Sequence, residues 1–482
     1  MKRRMPLSRK LAIVFLLPLF GLPVQASDAV TGIETGFTSP AGVAERCVRI
    51  TPAPGGAYSD KDLEAEAAYC AIDFYAAGIA LCPKTWSTSP GMALYDLSEG
   101  PYTGDRDGFM REACKEGKAA KDLAADRIAK FKPTMNGRGT SATFSTSSLL
   151  YYHFSRYFDM QAKVPVAVWR SMDRQAHLDQ VARMGLALTG GHARMNHEGW
   201  ALLVAADERP ESYSPTDELF TADRSQIYGA LLDSPGHRYG PQLNGTRASG
   251  WGKGQNRDFQ ETPAFLALRA NAPLAEAIEA GIAAGRRDPL IAKDLAADVP
   301  RYQIARWMQD LTEIVLLDFI FSQQDRIGNI DFEPYYHWVE AGELKSKKAK
   351  HHSPGDGDVP DGAMLIRHTR LNDNDAGGKL PYANFAKSTQ MLEKMRHFPP
   401  NLYRRLIALD TDLQSGGPVF GWLSSSFGLT EAQVTQVVKN TALARGILQD
   451  ACDAGQLRFD LDPDGFALSG EGADVSLDCA AP

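Results

Sequence analysis

The chain has 482 residues, 23% of them charged, with a formal net charge of −7. Acids and bases are interspersed, so no basic stripe invites nucleic acid and no polybasic block invites anionic lipid. The length exceeds the ~250–300 residues at which one hydrophobic core stops growing, so two lobes with additions are expected.

The chain opens with Lys2, Arg3, Arg4, Arg9 and Lys10, followed by the apolar run Leu11 to Leu22 and the small-residue site Val24-Gln25-Ala26. This order reads as a signal peptide over 1–26, cleaved after Ala26, and implies an exported protein, periplasmic or secreted. A membrane anchor is the other reading, but Pro18 and Pro23 interrupt a run already too short to span comfortably. An even six cysteines in an exported chain imply three disulfides. Four cluster before residue 115, and Cys452 with Cys479 is the simplest pair. Residues 27–58, rich in Gly, Pro, Ser and Thr, read as an extended arm. Helical patterns follow over Asp60 to Leu81 and Asp105 to Ala129, separated by a loop through Pro90 and Gly100. Lys130-Phe131-Lys132-Pro133 breaks the second pattern, and Asn136 to Thr140 is a turn. Ser147 to Met160 has helical spacing, and Val164 to Trp169 reads as a strand.

Residues 185–300 are less periodic. Asn244 to Asn256 (NGTRASGWGKGQN) is polar and Gly-rich and predicts a surface loop; it lacks the spacing of a phosphate-binding Walker loop, although a loop of this kind could cover a nucleotide. Asn244-Gly245-Thr246 fits a glycosylation acceptor. Helices are expected over Leu274 to Ala284, Tyr302 to Phe321, Met391 to Leu409 and Glu431 to Ala451. Lys345 to Gly362 is charged and rich in His and Gly, with His351-His352 read as solvated.

The stretch LLDFIFSQQDRIGNIDF, Leu316 to Phe332, carries the chemistry. An apolar helix ends abruptly in Gln-Gln-Asp-Arg with Gly-Asn behind it, which places an acid at the mouth of a buried helix. Phosphoryl transfer needs a cation on the phosphates, a loop acid near the attacking hydroxyl and acids or amides on a metal. The candidates are Lys132 for the phosphates, Asp325 for the hydroxyl, and Asn329, Asp373 and Asp375 for the metal. Gly377 and Gly378 let the backbone turn tightly behind the last two. Asp318, inside the apolar helix, reads as a structural hydrogen-bond hub, and Arg156 and Arg170 as packing ion pairs. Asp325 could instead cap a turn with Arg326 as its ion-pair partner.

Five segments in order, AKFKPTMNGRG, SSLLYYHFSRYFDMQAKVPVAVWR, LLDFIFSQQDRIGN, LNDNDAGGK and MRHFPPNLYRRLIAL, resemble the secreted kinase family of Golgi casein kinase and four-jointed type. That family is itself similar to the atypical, phosphatidylinositol-kinase-like kinases. The resemblance covers about 130–410. It implies an α+β, two-lobed protein-kinase-like fold with a mainly helical large lobe and disulfide-bonded N- and C-terminal extensions. It further implies transfer of the γ-phosphoryl group of ATP, with Mg²⁺ or Mn²⁺, to a hydroxyl on a protein or glycan. The corresponding division is a Cys-containing helical extension over 27–125, a small lobe over 126–185, an insertion-like region over 186–300, a large lobe over 301–450 and a Cys-closed acidic segment over 451–482. Three departures stand out. Ser148 occupies the position of the Glu that normally pairs with the phosphate-binding Lys, Ile327 replaces a His, and Asn329 follows Asp325 by four residues rather than five. Asp373 keeps the family's Leu-Asp-Asn register better than Asp375. A pseudokinase and an AMP-transferring enzyme are the alternative functions. Separately, Asp460, Asp462, Asp464, Gly465 and Glu471 fit the spacing of a calcium-binding loop or of an acidic turn.

Overall fold

The computed structural model describes residues 30–190, 194–233, 236–349, 359–473 and 475–481. The signal peptide and His351-His352 lie outside the described residues. The chain is mixed helix and strand, with two sheets and three disulfides. No described helix is long and apolar enough to cross a membrane.

The first sheet has seven strands: β1 (Gly32–Thr38), β2 (Ala44–Ile50), β3 (Ile79–Pro83), β4 (Met92–Asp96), β5 (Asp126–Pro133), β6 (Ala167–Asp173) and β7 (Gln226–Leu232). Their spatial order is β1-β2-β6-β7-β5-β4-β3, with every neighbouring pair antiparallel. Residues 30–125 therefore contribute four strands to the sheet as well as helical segments. The expected helix over Asp60 to Leu81 stops at Tyr69, and Ile79 to Pro83 is a strand. The one over Asp105 to Ala129 breaks at Gly117 and becomes β5 from Asp126. β7, from the region read as insertion-like, runs through the middle of the sheet. Cys47–Cys70 and Cys82–Cys114 tie β2 and β3 to the neighbouring helical segments.

Successive side chains of a strand face opposite sides of its sheet, and this divides the core in two. Val168 and Phe131 join a cluster with Phe74, Trp200 and Ile227, while Trp169 and Ala230 join the cluster on the other face. That second face packs on the Ser145–Tyr157 helix, which in turn meets the Arg301–Phe321 helix. The Arg301–Phe321 helix is buried on nearly every side and forms the axis of the helical half of the chain. A second sheet, β9 (Ile330–Glu340) paired with β10 (Glu343–Lys348) and β11 (Met364–Leu371), joins β8 (His237–Arg238) along β9. The charged 345–362 segment thus begins in β10. Late helices run over Pro400–Ser415 and Glu431–Asp453; Pro399 and Pro400 fix the start of the first, nine residues after the expected start at Met391. The third disulfide is the expected Cys452–Cys479.

Candidate functional site

Phe131 and Lys132 show how the sheet aims the site. Alternation sends the Phe131 ring into the core and the Lys132 amine to the opposite face, the one shared with Lys130. There the Lys132 Nζ lies 2.9 Å from Asp373 Oδ1 and 2.7 Å from Asp375 Oδ2. Burial works against the Lys132 charge, but the two carboxylates outweigh it and raise its pKa above the usual lysine range. Burial likewise disfavours the Asp373 anion, yet Lys132 and then Lys84 hold its pKa well below the usual carboxylate range. Ser148, which the resemblance aligns with a Glu, is buried in the Ser145–Tyr157 helix. The partner of Lys132 comes from the 372–378 loop instead.

That loop is bent by a left-handed Asp373, φ 47°, in the region where Asn and Asp are the side chains best tolerated. It is stitched to its surroundings by backbone bonds: Phe144 N–H to Asp375 O, Gly378 N–H to Phe321 O, Gln324 N–H to Ala376 O and Asn372 N–H to Asn329 O. The last two join it to the Asp325 loop. Beneath both loops, Asp318 accepts from Arg326 Nε at 2.9 Å, Arg326 Nη2 at 3.0 Å and the Tyr151 hydroxyl at 2.6 Å. Arg326 also donates to Asn372 O and Asn374 Oδ1. Asp318 is thus the buried hub expected of it, and Arg326 serves it rather than Asp325.

The Arg301–Phe321 helix ends at Ser322, φ 54°. Asn384 donates to Phe319 O and Asn440 to Ile320 O, satisfying carbonyls that the helix end would otherwise leave open. Asp325 follows three residues later. Burial raises its pKa, the negative Asp373 raises it further, and the Trp251 indole N–H partly offsets both. Asn329 donates to the Asp325 carbonyl at 2.6 Å and accepts from Arg238 at 3.0 Å. Lys132, Asp373 and Asp375 are therefore in direct contact, Asp325 is electrostatically coupled to both acids, and Asn329 binds the Asp325 backbone. Among the described residues no three His, Cys, Asp or Glu side chains converge as a metal cage of their own.

Comparison with known proteins returns no matching family model and no curated relative. The site is therefore read from its own chemistry.

Sequence reasoning missed several contributors. The 244–256 segment meets the Asp325 loop. The Asn244 side chain donates to Tyr239 O and Ile330 O and accepts from Gly328 N–H and Ile330 N–H. It is buried and fully bonded, so the glycosylation reading fails. Arg247 and Gln255 both donate to Ile327 O. Gly328, φ 86°, lies in the region that favours glycine and sits against the Arg247 guanidinium. Arg238 donates to Asp331 Oδ1 at 2.6 Å, with Nη2 4.0 Å from Asp373 Oδ2. The tripeptide Asn244-Gly-Thr and the glycines were visible in the sequence, but nothing local tied them to residues 80 positions away. The acids of the candidate calcium loop have separate partners: Asp460 pairs with His397, Asp462 caps the helix Pro463–Ser469 through Gly465 N–H, and Asp464 accepts from Tyr302 and Arg306.

Proposed function

We propose that the chain is an exported, two-lobed, kinase-like phosphotransferase that moves the γ-phosphoryl group of ATP to a hydroxyl of a protein or glycan. The observation that carries this reading is the meeting of Lys132, Asp373 and Asp375, drawn from a strand and a loop 241 residues apart, beside the Asp325 loop. Phosphoryl transfer requires positioning and charge neutralisation more than covalent chemistry, and these groups supply both.

Lys132 neutralises phosphate oxygens. Asp373 would be the principal ligand of a Mg²⁺ or Mn²⁺ ion, with Asp375 and the Asn329 amide oxygen, released from Lys132 and Arg238, as further oxygen donors. Such an ion, when bound, neutralises charge on the phosphates. Asp325 orients the acceptor hydroxyl and takes its proton, burial and Asp373 having raised its pKa. The hydroxyl oxygen's electron pair forms the bond to the γ-phosphorus, the bond to the β–γ bridging oxygen breaks, and ADP leaves.

A nucleotide-binding pseudokinase is the second reading, favoured by the pairing of Lys132 with both acids in place of a helix Glu. Incubation with ATP labelled at the α or γ phosphorus, with Mn²⁺, separates the cases. Label transferred from γ to an acceptor is the expected result, transfer from α indicates AMP transfer, and binding without transfer indicates the pseudokinase.

A further inference from the structure

The two ends of the seven-stranded sheet are finished differently. β3 is buried from Ala80 to Pro83 and packs against the Arg106–Glu112 helix. β1 is exposed at Gly32, Ile33, Glu34, Gly36 and Thr38, and among the described residues no strand pairs with its outer side. An open edge is a template for another chain, and proteins ordinarily blunt it with Pro, Lys or a bulge. β1, GIETGFT, contains neither Pro nor Lys and stays in one register with β2 throughout. Its single charge, Glu34, pairs with Arg46 at 3.0 Å. Both ends are fixed: Thr31 N–H donates to Ser426 O at 3.2 Å, and the Ser39 hydroxyl donates to Asp173 Oδ2 at 2.6 Å. The strand is thus held extended in advance, with little freedom left to lose on pairing.

The hairpin decides which groups this edge offers. Ser39 N–H donates to Val43 O at 2.9 Å, so alternation aims the N–H and C=O of Phe37, Thr35 and Ile33 at β2. Those of Gly32, Glu34, Gly36 and Thr38 point outward. A second β1 laid antiparallel on this edge must set outward residues opposite outward residues. The three longest overlaps place the two-fold axis at Glu34, Thr35 or Gly36. An axis at Glu34 brings the two carboxylates face to face, which is destabilising. An axis at Gly36 sets Ile33 opposite Ser39, beyond the strand. An axis at Thr35 sets Glu34 opposite Gly36 of the second copy, Gly32 opposite Thr38 and Ile33 opposite Phe37, with about eight backbone hydrogen bonds. Ile33 and Phe37 then take non-hydrogen-bonded positions, where opposed side chains are closest. In the single chain Ile33 is 56% exposed, while Phe37 already packs on the core.

We propose that β1 is a self-pairing edge through which two copies of this chain associate about a two-fold axis at Thr35, joining their sheets. Nothing in this pairing depends on the phosphotransferase reading.

One seven-residue edge is a small interface, so the dimer is expected to dissociate on dilution. Sedimentation equilibrium of the mature protein over about 1–100 µM is expected to show monomer and dimer in exchange. Glu34→Pro removes an outward N–H and spares the bonds to β2, at a position where an edge strand tolerates Pro. It is expected to weaken association roughly 10–100-fold. Ile33→Ala is expected to weaken it roughly 2–30-fold through the loss of the Ile–Phe contacts. Oxidation reads the register: Thr35→Cys is expected to cross-link across the axis, where opposed Cα atoms lie about 4.5 Å apart, and Ile33→Cys is not. Unchanged melting temperatures at low concentration show that the variants are folded; if Glu34→Pro is not, the two Cys variants decide. A protein that stays monomeric to about 100 µM overturns the proposal. So does a dimer that Glu34→Pro leaves intact, or one that cross-links through Ile33→Cys and not through Thr35→Cys. Association beyond the dimer also overturns it, because a two-fold pairing of edges is closed.

Discussion

Two Asp-rich loops of this chain look alike in sequence and differ in structure. Asn372 to Gly378 reads NDNDAGG and Asp460 to Gly465 reads DLDPDG. In the first, Asp373 and Asp375 turn toward one buried ammonium, and Arg326 holds the loop from beneath through Asn372 and Asn374. In the second, the three carboxylates go to a His, a helix N-terminus and a Tyr–Arg pair. Acid density does not make a site. What distinguishes the loops is a left-handed residue that bends the first inward and a lysine delivered from a separate strand.

The largest expected effect probes the support of the first loop. Asp318→Ala leaves the Arg326 guanidinium buried without its carboxylate, and removal of one member of such a pair costs about 3–5 kcal/mol. Urea unfolding of the variant measures it, and a loss under about 1 kcal/mol would show that Asn374 and the Asn372 carbonyl suffice. The second loop is held differently. Replacing Cys452 and Cys479 by Ser opens a bridge with sequence separation 27. This is expected to cost about 3.5 kcal/mol on the chain-entropy model while sparing any nucleotide-dependent shift.

Ligand addition sharpens the contrast. ATP with Mn²⁺ at a hundred times its dissociation constant should stabilise the wild type by ~2.7 kcal/mol. That stabilisation is expected to vanish in Asp373→Ala and persist in Asp464→Ala, as read by thermal melting. Its persistence in Asp373→Ala would strip this acid of its metal role. The smallest effect is Asp462→Ala, which removes a helix cap worth ~1 kcal/mol. Calcium is expected to shift the wild-type melting temperature by less than about one degree, because occupancy would have to draw Asp460 and Asp464 from their present partners. A larger shift, abolished in Asp462→Ala, would make the second loop a cation site after all.

The legible parts of this fold were the long helices. Ser145–Tyr157, Arg301–Phe321 and Glu431–Asp453 follow 3.6-residue periodicity or continuous apolarity over three turns or more. The strands β3 (IALCP), β4 (MALYD) and β7 (QIYGALL) were not legible. They are short, contain Ala or Gly, and are buried on both faces, so no alternation betrays them. The site follows the same division. Asp325, Asn329, Asp373 and Asp375 stand in contiguous motifs, and Lys132 in the segment AKFKPTMNGRG that helps carry the resemblance. Lys84 has no motif, because its position is created by the register of β3, β4 and β5. Arg238 and Asn244 owe theirs to β8 meeting β9, a contact no sequence spacing encodes.

The central place of β7 has a consequence for how the protein is made. β6 and β5 never touch; each pairs with β7. A chain ending before Gln226 therefore has two unconnected three-stranded ribbons, β1-β2-β6 and β5-β4-β3, each with an open edge. Lys132 lies on one of those edges, exposed until the strand 94 residues later arrives to close the seam. Assembly of the face that carries the lysines is thus a late, long-range event, and an incomplete chain presents an unpaired sheet edge rather than a partly formed site.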